Sequence, residues 1–271
     1  MTAAGGVKPG SLVLVPNTLD LGTDCLVDLR EVLPQAVIDR AAQLGFWVAE
    51  NAKTTRALLK RVAELVPLAM PLQQIQISEL PRPAKGGAAT KSATKSATES
   101  AAQAADLRPL LAPALAGHDV GLLSEAGLPA VADPGAALVQ AAHVLGVPVL
   151  PMSGPSSLLL ALASSGLNGQ SFAFVGYLPV EAAARAVRIR ELDGLSRRTG
   201  QTQIAIETPY RNDVLLAALI EHLQPGTRLS VASGLTLPGG RCETRAVQAW
   251  RAARPTPLGG RLPAVFSWLA A

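Results

Sequence analysis

The stretch from Ser124 to Gly135, SEAGLPAVADPG, constrains the fold of this chain more than any other. It follows an apolar run, Val120–Leu123, and precedes a run with helical spacing, Ala136–Leu145. A buried strand that ends in a Gly- and Pro-rich loop and then opens a helix is typical of the ligand-binding corner of an open α/β sheet. Small residues let a ligand approach the backbone closely, and prolines fix the loop's shape. We expect Asp133 either to cap the following helix or to accept a hydrogen bond from a ligand. A tight turn without a ligand is the alternative.

Strand-like and helix-like runs alternate along the chain, which predicts an α/β protein with a parallel sheet covered on both faces. The rhythm changes at about residue 153, so we expect two α/β domains, residues 1–152 and residues 153–271. The predicted strands are 12–15, 46–49, 74–77, 120–123, 147–150, 172–177, 203–206 and 229–232. The predicted helices are 26–44 with a break at Pro34, 54–65, 107–116, 136–145, 158–165, 182–192 and 214–223.

Residues 85–105 consist largely of Gly, Ala, Thr, Lys and Ser, and the sequence Lys-Ser-Ala-Thr occurs twice in them. Such a segment buries too little apolar surface to offset the entropy lost on ordering, so it predicts a flexible insertion in the first domain. Its lysines, Lys85, Lys91 and Lys95, are candidates for contact with a phosphate backbone. A solvated insertion without a partner is the simpler interpretation.

Composition and residue spacing exclude several classes of protein. Hydrophobic residues make up 49% of the chain and charged residues 16%, a balance typical of folded domains. The two cysteines, Cys25 and Cys242, are far apart, and no histidine stands in metal-ligand spacing, so we expect no metal site. The formal charge of +4 is compatible with RNA but too small to indicate it. The chain lacks a secretion-signal core and a run long enough for a membrane span, which predicts a cytoplasmic protein with no membrane partner.

Common phosphate-binding and nucleophile motifs are absent. No GxGxxG follows the first strand and no GxxxxGK[ST] occurs, so dinucleotide and P-loop sites lack their phosphate cradle. No GxSxG surrounds Ser124, although that serine does follow a strand. A hydrolase triad of Ser124 with His118 or His143 is therefore disfavoured.

Two segments carry a family resemblance. Residues 49–56, AENAKTTR, are similar to a family's Ala-Glu-Asp-Thr-Arg-His-Thr-Arg, and Ser124–Gly135 is similar to its Ser-Asp-Ala-Gly-Thr-Pro-Gly-Ile-Ser-Asp-Pro-Gly. Shorter matches follow the same order from Gly10 to about Thr236: they are 15–16, 31–33, 154–157, 164–167, 176–179, 207–211 and 235–236. The chain thus resembles the tetrapyrrole methylase superfamily of S-adenosylmethionine-dependent methyltransferases. It is most similar there to the ribosomal RNA small-subunit methyltransferase I family, which methylates a ribose 2′-hydroxyl.

The resemblance implies two α/β domains with a cofactor cleft between them, S-adenosyl-L-methionine as cofactor, a homodimer, and ribosomal RNA or the small ribosomal subunit as partner. The implied cofactor-binding residues are Pro16, Ser124, Glu125, Ala126, Gly127, Val131, Ala132, Asp133, Gly154, Pro155, Ser156, Ser157, Glu207, Thr208, Pro209 and Thr236. The implied substrate-binding residues are Asp20, Asn51, Arg56 and Arg211. Glu50 is the candidate catalytic base, because a ribose hydroxyl must lose its proton during methylation. A helix cap or salt bridge is the alternative role for Glu50, and a structural salt bridge is the alternative for each arginine.

Departures from the family pattern fall mostly on the side of the methyl acceptor. The family's Thr-Pro-Ile-Gly-Asn-Leu is replaced by Asn17–Gly22, NTLDLG, and its Asp-Thr-Arg by Asn51-Ala52-Lys53. Leu128 and Ala132 replace hydroxyl residues in the cofactor loop, and Leu237 replaces a lysine. Two other functions therefore stay open: a methyltransferase of a small tetrapyrrole-like acceptor, and a non-catalytic homodimer that binds S-adenosylmethionine.

Overall fold

The computed structural model describes residues 8–20, 23, 25–81, 106–253, 257–258 and 262–271. The predicted insertion at 85–105, with its three lysines, lies outside this part of the chain. The fold consists of two compact units. Unit 1 comprises Met1–Thr18 and Asp28–Pro155, and unit 2 comprises Leu19–Val27 and Ser156–Ala271. The domain boundary placed after residue 152 stays a prediction.

Unit 1 contains a sheet of five parallel strands in the order β3-β2-β4-β1-β5. The strands are β1 (Leu12–Leu14), β2 (Phe46–Ala49), β3 (Gln76–Glu79), β4 (Val120–Leu123) and β5 (Val149–Pro151). The helices are α1 (Leu29–Val32), α2 (Gln35–Gln43), α3 (Ala52–Ala63), α4 (Ala112–Leu115) and α5 (Ala136–Val144), with 3-10 helices at Leu72–Gln74 and Arg108–Leu111. The parallel α/β architecture predicted from the alternating pattern is confirmed.

Helices cover both faces of the unit 1 sheet because its three central strands, β2, β4 and β1, are apolar on both sides. One core joins Val13 and Trp47 to α2 and α3, and the other joins Leu12 and Leu122 to α5 and the segment around Leu111. The Trp47 indole nitrogen donates to the Leu44 carbonyl at 3.1 Å, which satisfies its polar atom inside the first core.

The chain reverses its winding direction at β1 and β4, which are neighbours in the sheet. From β1 the chain crosses to β2 on one side, and from β4 it crosses to β5 on the other side. In an open α/β sheet such a switch point leaves a crevice at the carboxyl ends of the two strands, where ligands bind. The loops that begin at Val15 and Ser124 occupy this position.

Unit 2 contains a mixed sheet in the order β6-β7-β10-β8-β9. Its strands are β6 (Phe172–Tyr177), β7 (Thr202–Glu207), β8 (Arg228–Ser233), β9 (Arg241–Ala246) and β10 (Ala264–Leu269). Only the β6–β7 pair is parallel among these described strands. The helices are α6 (Ser157–Ser165), α7 (Ala182–Thr199), α8 (Asn212–His222) and α9 (Val247–Ala253), with a 3-10 helix at Pro209–Arg211. The sequence patterns did not predict β9, α9 or β10.

Both faces of the unit 2 sheet are also covered. Phe266 and Trp268 of β10 pack in one core with residues of α7, α8 and α9, while Val265 lies in the core formed with α6. A buried carboxylate, Asp193 of α7, is satisfied by the Thr227 hydroxyl at 2.7 Å and by the Gln224 N–H at 3.3 Å. These bonds fix the turn that leads into β8, because a buried carboxylate without donors would be costly.

Candidate functional site

The loops that follow β1 and β4 are joined by hydrogen bonds through Asn17. Its buried side-chain amide donates to the carbonyl of Ser124 at 3.2 Å and to the carbonyl of Glu125 at 2.9 Å. Its backbone N–H donates to the Gly127 carbonyl at 2.8 Å, and the Gly127 N–H donates to the Thr18 carbonyl at 3.3 Å. Asn17 is therefore the residue that fastens the two loops of the switch point. The sequence marked it only as a departure from the family pattern.

The loop from Ser124 to Gly135 curls tightly because several of its residues adopt left-handed backbone conformations. Gly127, Ala130 and Ala132 have φ values of 64°, 66° and 65°. Gly135, with φ of 134°, is the N-cap of α5, and no side chain caps this helix. The predicted capping role of Asp133 is therefore wrong, because the residue that lies at the helix start has no side chain.

The ends of β2 and β4 are connected by side chains. Glu50 follows β2, and its Oε2 accepts from the Glu125 backbone N–H at 3.2 Å. The Asn51 amide donates to Glu125 Oε1 at 2.9 Å, and Asn51 Oδ1 accepts from the Lys53 N–H at 2.9 Å as the N-cap of α3. Asn51, and not Glu50, is the residue that caps α3, so the helix-cap alternative for Glu50 is wrong.

Three carboxylates, Glu50, Glu125 and Asp133, share this region of unit 1. Burial raises the pKa of Asp133 to about 7, and the negative charges of Glu50 and Glu125 contribute to the same shift. Burial also raises the pKa of Glu50. The hydrogen bond from the Glu125 N–H lowers this pKa, whereas the negative charge of Glu125 raises it further. The carboxyl edge of the sheet is thus a region of negative potential in which a positively charged ligand would be stabilised.

Two further features of this edge bear on ligand binding. Ser124 is 2% exposed, and its hydroxyl has no hydrogen-bond partner among the described residues. Buried hydroxyls are normally satisfied, so this atom is a candidate to bind a ligand. At the end of β5, a Cβ added to Gly154 would lie 2.2 Å from Cβ of Pro16. Glycine is therefore required where the loop after β5 meets the loop after β1.

The structure brings together some of the other predicted residues of unit 1 but not all of them. Ala126 lies between Glu125 and Gly127 in the joined loops, whereas Val131 and Ala132 are exposed on the outer part of the loop. Pro155 is buried at the end of unit 1. Arg56 is exposed on α3. The loop backbone and the carboxylates thus form the centre of the candidate site, and no described contact joins Arg56 to them.

The predicted residues of unit 2 include a buried ion pair at the end of β7. The Glu207 carboxylate lies 3.2 Å from the Arg211 guanidinium and accepts from the Thr208 N–H at 2.8 Å. Pro209 lies between them in the 3-10 helix. The salt-bridge alternative for Arg211 is therefore the role that the structure shows.

The remaining predicted residues of unit 2 are in tight turns and at a helix start. Thr236 has a φ of 68°, and its buried hydroxyl has no partner among the described residues. Ser156 is the N-cap of α6 without a side-chain hydrogen bond, and Ser157 begins that helix. Asp20 is buried, and its Oδ2 accepts from the Val27 N–H at 3.2 Å.

Metal-binding clusters and membrane-spanning helices are both absent from the described part of the chain. No group of three or more His, Cys, Asp or Glu side chains there could hold a metal ion. No helix within the same residues has both the length and the apolar character needed to cross a membrane.

Comparison with known proteins adds a family and a fold. The family model described as "Tetrapyrrole (Corrin/Porphyrin) Methylases" matches residues 40–247. The "Ribosomal RNA small subunit methyltransferase I" of Mesorhizobium japonicum is 37% identical over 153 residues, which cover 55% of this chain and 51% of that protein. The protein of the same name from Micromonospora olivasterospora is 42% identical over 112 residues, 41% of this chain and 34% of that protein.

The chain thus spans about half the length, or less, of the curated relatives that it matches. Among solved structures, the methyltransferase CobJ superposes with a TM-score of 0.53 at 16% identity, covering 89% of each chain. At this identity the similarity concerns the fold alone. The family match and the curated relatives agree with the resemblance carried by the sequence motifs.

Proposed function

Because the chain belongs to the tetrapyrrole (corrin/porphyrin) methylases, we propose that it is an S-adenosylmethionine-dependent methyltransferase that acts on small-subunit ribosomal RNA. The proposed acceptor is supported by relatives that carry the name of ribosomal RNA small subunit methyltransferase I. One observation carries the proposal: the loops after β1 and β4, at the switch point of the unit 1 sheet, are hydrogen-bonded together beside three carboxylates.

The residues of this edge suit the proposed cofactor. S-Adenosylmethionine has a sulfonium and an ammonium group, and the carboxylates of Glu50, Glu125 and Asp133 provide the negative potential that such cations favour. The orphaned hydroxyl of Ser124 offers one further polar contact. When bound, the cofactor supplies a methyl group activated by attachment to a positively charged sulfur. The other predicted cofactor residues, and the cleft predicted between the two domains, stay predictions.

Methyl transfer depends on alignment and exclusion of water more than on a covalent nucleophile. We assign to Glu50 the task of accepting the proton that a ribose 2′-hydroxyl loses as its oxygen gains the methyl group. Burial raises the pKa of Glu50, which brings the carboxylate closer to the neutral range in which a general base is most effective. The Glu125 N–H holds one oxygen of Glu50, which fixes the orientation of the carboxyl group.

Of the four residues proposed for substrate binding, Arg56 is the most accessible to RNA. Its side chain is exposed on α3, and a guanidinium is well suited to bind phosphate. Arg211 is paired with Glu207, the amide of Asn51 is bound to Glu125, and Asp20 accepts a bond from Val27. RNA contacts by these three would have to be made in addition to the bonds that they already form.

We also propose that the protein is a homodimer and that it acts in the cytoplasm on ribosomal subunits. The dimer proposal is supported by β6, an edge strand of the unit 2 sheet whose Phe172, Phe174 and Tyr177 are all exposed. Exposed apolar patches of this kind are typical of protein interfaces. Analytical ultracentrifugation of the wild type and of Phe172→Ser/Phe174→Ser tests the proposal. A monomeric wild type would refute it.

Calorimetric titration with S-adenosylmethionine and S-adenosylhomocysteine tests the proposed function at its first step. We expect micromolar binding, which corresponds to about −8 kcal/mol. Glu50→Gln should bind S-adenosylmethionine more weakly, because one carboxylate of the cluster is neutralised, and should lose methyl transfer even when saturated with the cofactor, because the amide cannot accept the proton. Failure to bind either compound would refute the proposal. Binding without transfer to any RNA would favour the non-catalytic alternative, and a spectral change on adding a porphyrinoid with the cofactor would favour the tetrapyrrole acceptor.

A further inference from the structure

Glu125 is held from two directions by consecutive residues at the end of β2. Glu50 accepts a hydrogen bond from its backbone N–H at 3.2 Å, and Asn51 donates one to its carboxylate at 2.9 Å. Asn51 is itself fixed, because its other side-chain atom, Oδ1, accepts from Lys53 at the start of α3. Both polar ends of the Asn51 side chain are therefore used, one to begin a helix and one to hold a loop residue far away in sequence.

The contact between the side chains at positions 51 and 125 is attractive only if one of the two is an amide. Glu125 already lies near the like charges of Glu50 and Asp133. A neutral amide donor at position 51 orients the carboxylate without adding charge. A carboxylate at the same place would bring a further negative charge within 2.9 Å, so the two groups would repel each other or have to share a proton. The corresponding family segments have aspartate at both positions, whereas this chain has an amide and a longer acid.

We propose that Asn51 is a positioning residue of the cofactor site, whose amide holds the Glu125 carboxylate in place beside the loops of the switch point. This inference rests on the proposed function, because Glu125 is one of the residues proposed to bind S-adenosylmethionine. It gives Asn51 a role in cofactor affinity that does not depend on any contact with RNA. It also accounts for the joint departure of positions 51 and 125 from the aspartates of the family pattern.

Three variants separate this role from helix capping. In Asn51→Ser the side chain can still cap α3 but is too short to reach Glu125. In Asn51→Asp the cap is kept, but the new carboxylate repels Glu125. The double variant Asn51→Asp/Glu125→Gln exchanges the donor and the acceptor and leaves the total charge unchanged. We expect Asn51→Ser to weaken S-adenosylhomocysteine binding about tenfold, the scale of one charge-assisted hydrogen bond. Asn51→Asp should weaken it further. The double variant should regain a melting temperature close to that of the wild type, because the like charges are removed, but not the affinity, because it lacks the Glu125 carboxylate.

A second readout needs no ligand. The melting temperature of Asn51→Asp should fall relative to the wild type as pH rises from about 6 to about 8.5, because carboxylates in contact at positions 51 and 125 favour a shared proton in the folded state, and that proton is lost as pH rises. Asn51→Ser should show no such trend. Asp28→Asn serves as the control, since Asp28 caps α1 in the same unit and lies outside the proposed site. Its affinity for S-adenosylhomocysteine should equal that of the wild type.

The outcomes distinguish this inference from the function on which it rests. Wild-type affinity in both single variants, or a double variant that melts no higher than Asn51→Asp, would overturn the positioning role while leaving the methyltransferase proposal intact. A wild type that binds no S-adenosylhomocysteine would refute the proposed function. In that case the pH trend of the melting temperatures still decides whether the side chains at positions 51 and 125 are in contact.

Discussion

Asp133 gives a quantitative prediction about how pH affects the stability of unit 1. Burial and the neighbouring charges of Glu50 and Glu125 raise its pKa from 3.8 to about 7. The unfolded chain loses this proton near pH 4, whereas the folded protein retains it to about pH 7. The folded state therefore binds more protons between these limits, and its stability falls as pH rises through this range. Replacing Asp133 with Asn removes the effect.

The size of the effect follows from the shift. A pKa displaced by about three units corresponds to an upper bound of about 4 kcal/mol. Because Asp133 is only partly buried, solvent screening should reduce this to about 2 kcal/mol. We expect Asp133→Asn and the wild type to have equal free energies of unfolding at about pH 4, and the variant to be more stable by about 2 kcal/mol above about pH 7.

Two measurements check this prediction. NMR of protein labelled at the aspartate carboxyl carbon gives the pKa of Asp133 directly, with the Asp133→Asn spectrum providing the assignment. Urea unfolding at several pH values gives the stability difference. Asp119 serves as the internal control, because bonds from Ser11 and Arg40 lower its pKa despite its desolvation. Titration of Asp133 near pH 4 in the folded protein would refute the account of the carboxylate cluster.

Two further predictions concern the backbone of the loops. Gly154→Ala should destabilise the protein by about 1–3 kcal/mol, because the new methyl group would overlap Pro16. Gly169→Ala, which has open space around it, should not, and equal losses of urea-unfolding stability would contradict the packing argument. Ala130→Gly should stabilise the protein by about 0.5–1 kcal/mol, because φ at this position is left-handed. Ala126→Gly should instead destabilise it, and thermal melting that ranks the two alike would contradict the assigned loop conformation.

Most elements of unit 1 could be predicted from the sequence because apolar runs of strand or helix length are separated by Gly and Pro. The break at Pro34 is an example: α1 ends at Val32 and α2 begins at Gln35, with Pro34 as its N-cap. The strands of unit 2 that were missed are set by pairing with other strands and not by a local sequence pattern. β9 has the polar sequence RCETRA and is a strand because it pairs with β8, while β10 inserts between β7 and β8.

The candidate site was predictable at the level of its loops but not of its side-chain contacts. The Gly- and Pro-rich stretch after β4 indicated a ligand-binding corner, and the structure places it at the switch point. The hydrogen bond between Asn51 and Glu125 joins residues 74 positions apart, and no local sequence pattern predicts such a contact. Of the two roles predicted for Asp133, the helix cap is wrong, although a carboxylate near a helix start often caps it, and ligand binding stays a prediction. Here Gly135 occupies the cap, and Asp133 lies among other carboxylates.

The most direct test of the central proposal is methyl transfer itself. Purified protein is incubated with S-adenosylmethionine labelled in its methyl group and with small ribosomal subunits from cells that lack this gene, and the RNA is digested and analysed for methylated nucleosides. We predict label in a 2′-O-methylated nucleoside with the wild type, and loss of that label with Glu50→Gln at a cofactor concentration that saturates the variant. If the wild type binds the cofactor and leaves the RNA unlabelled, the proposed function is wrong.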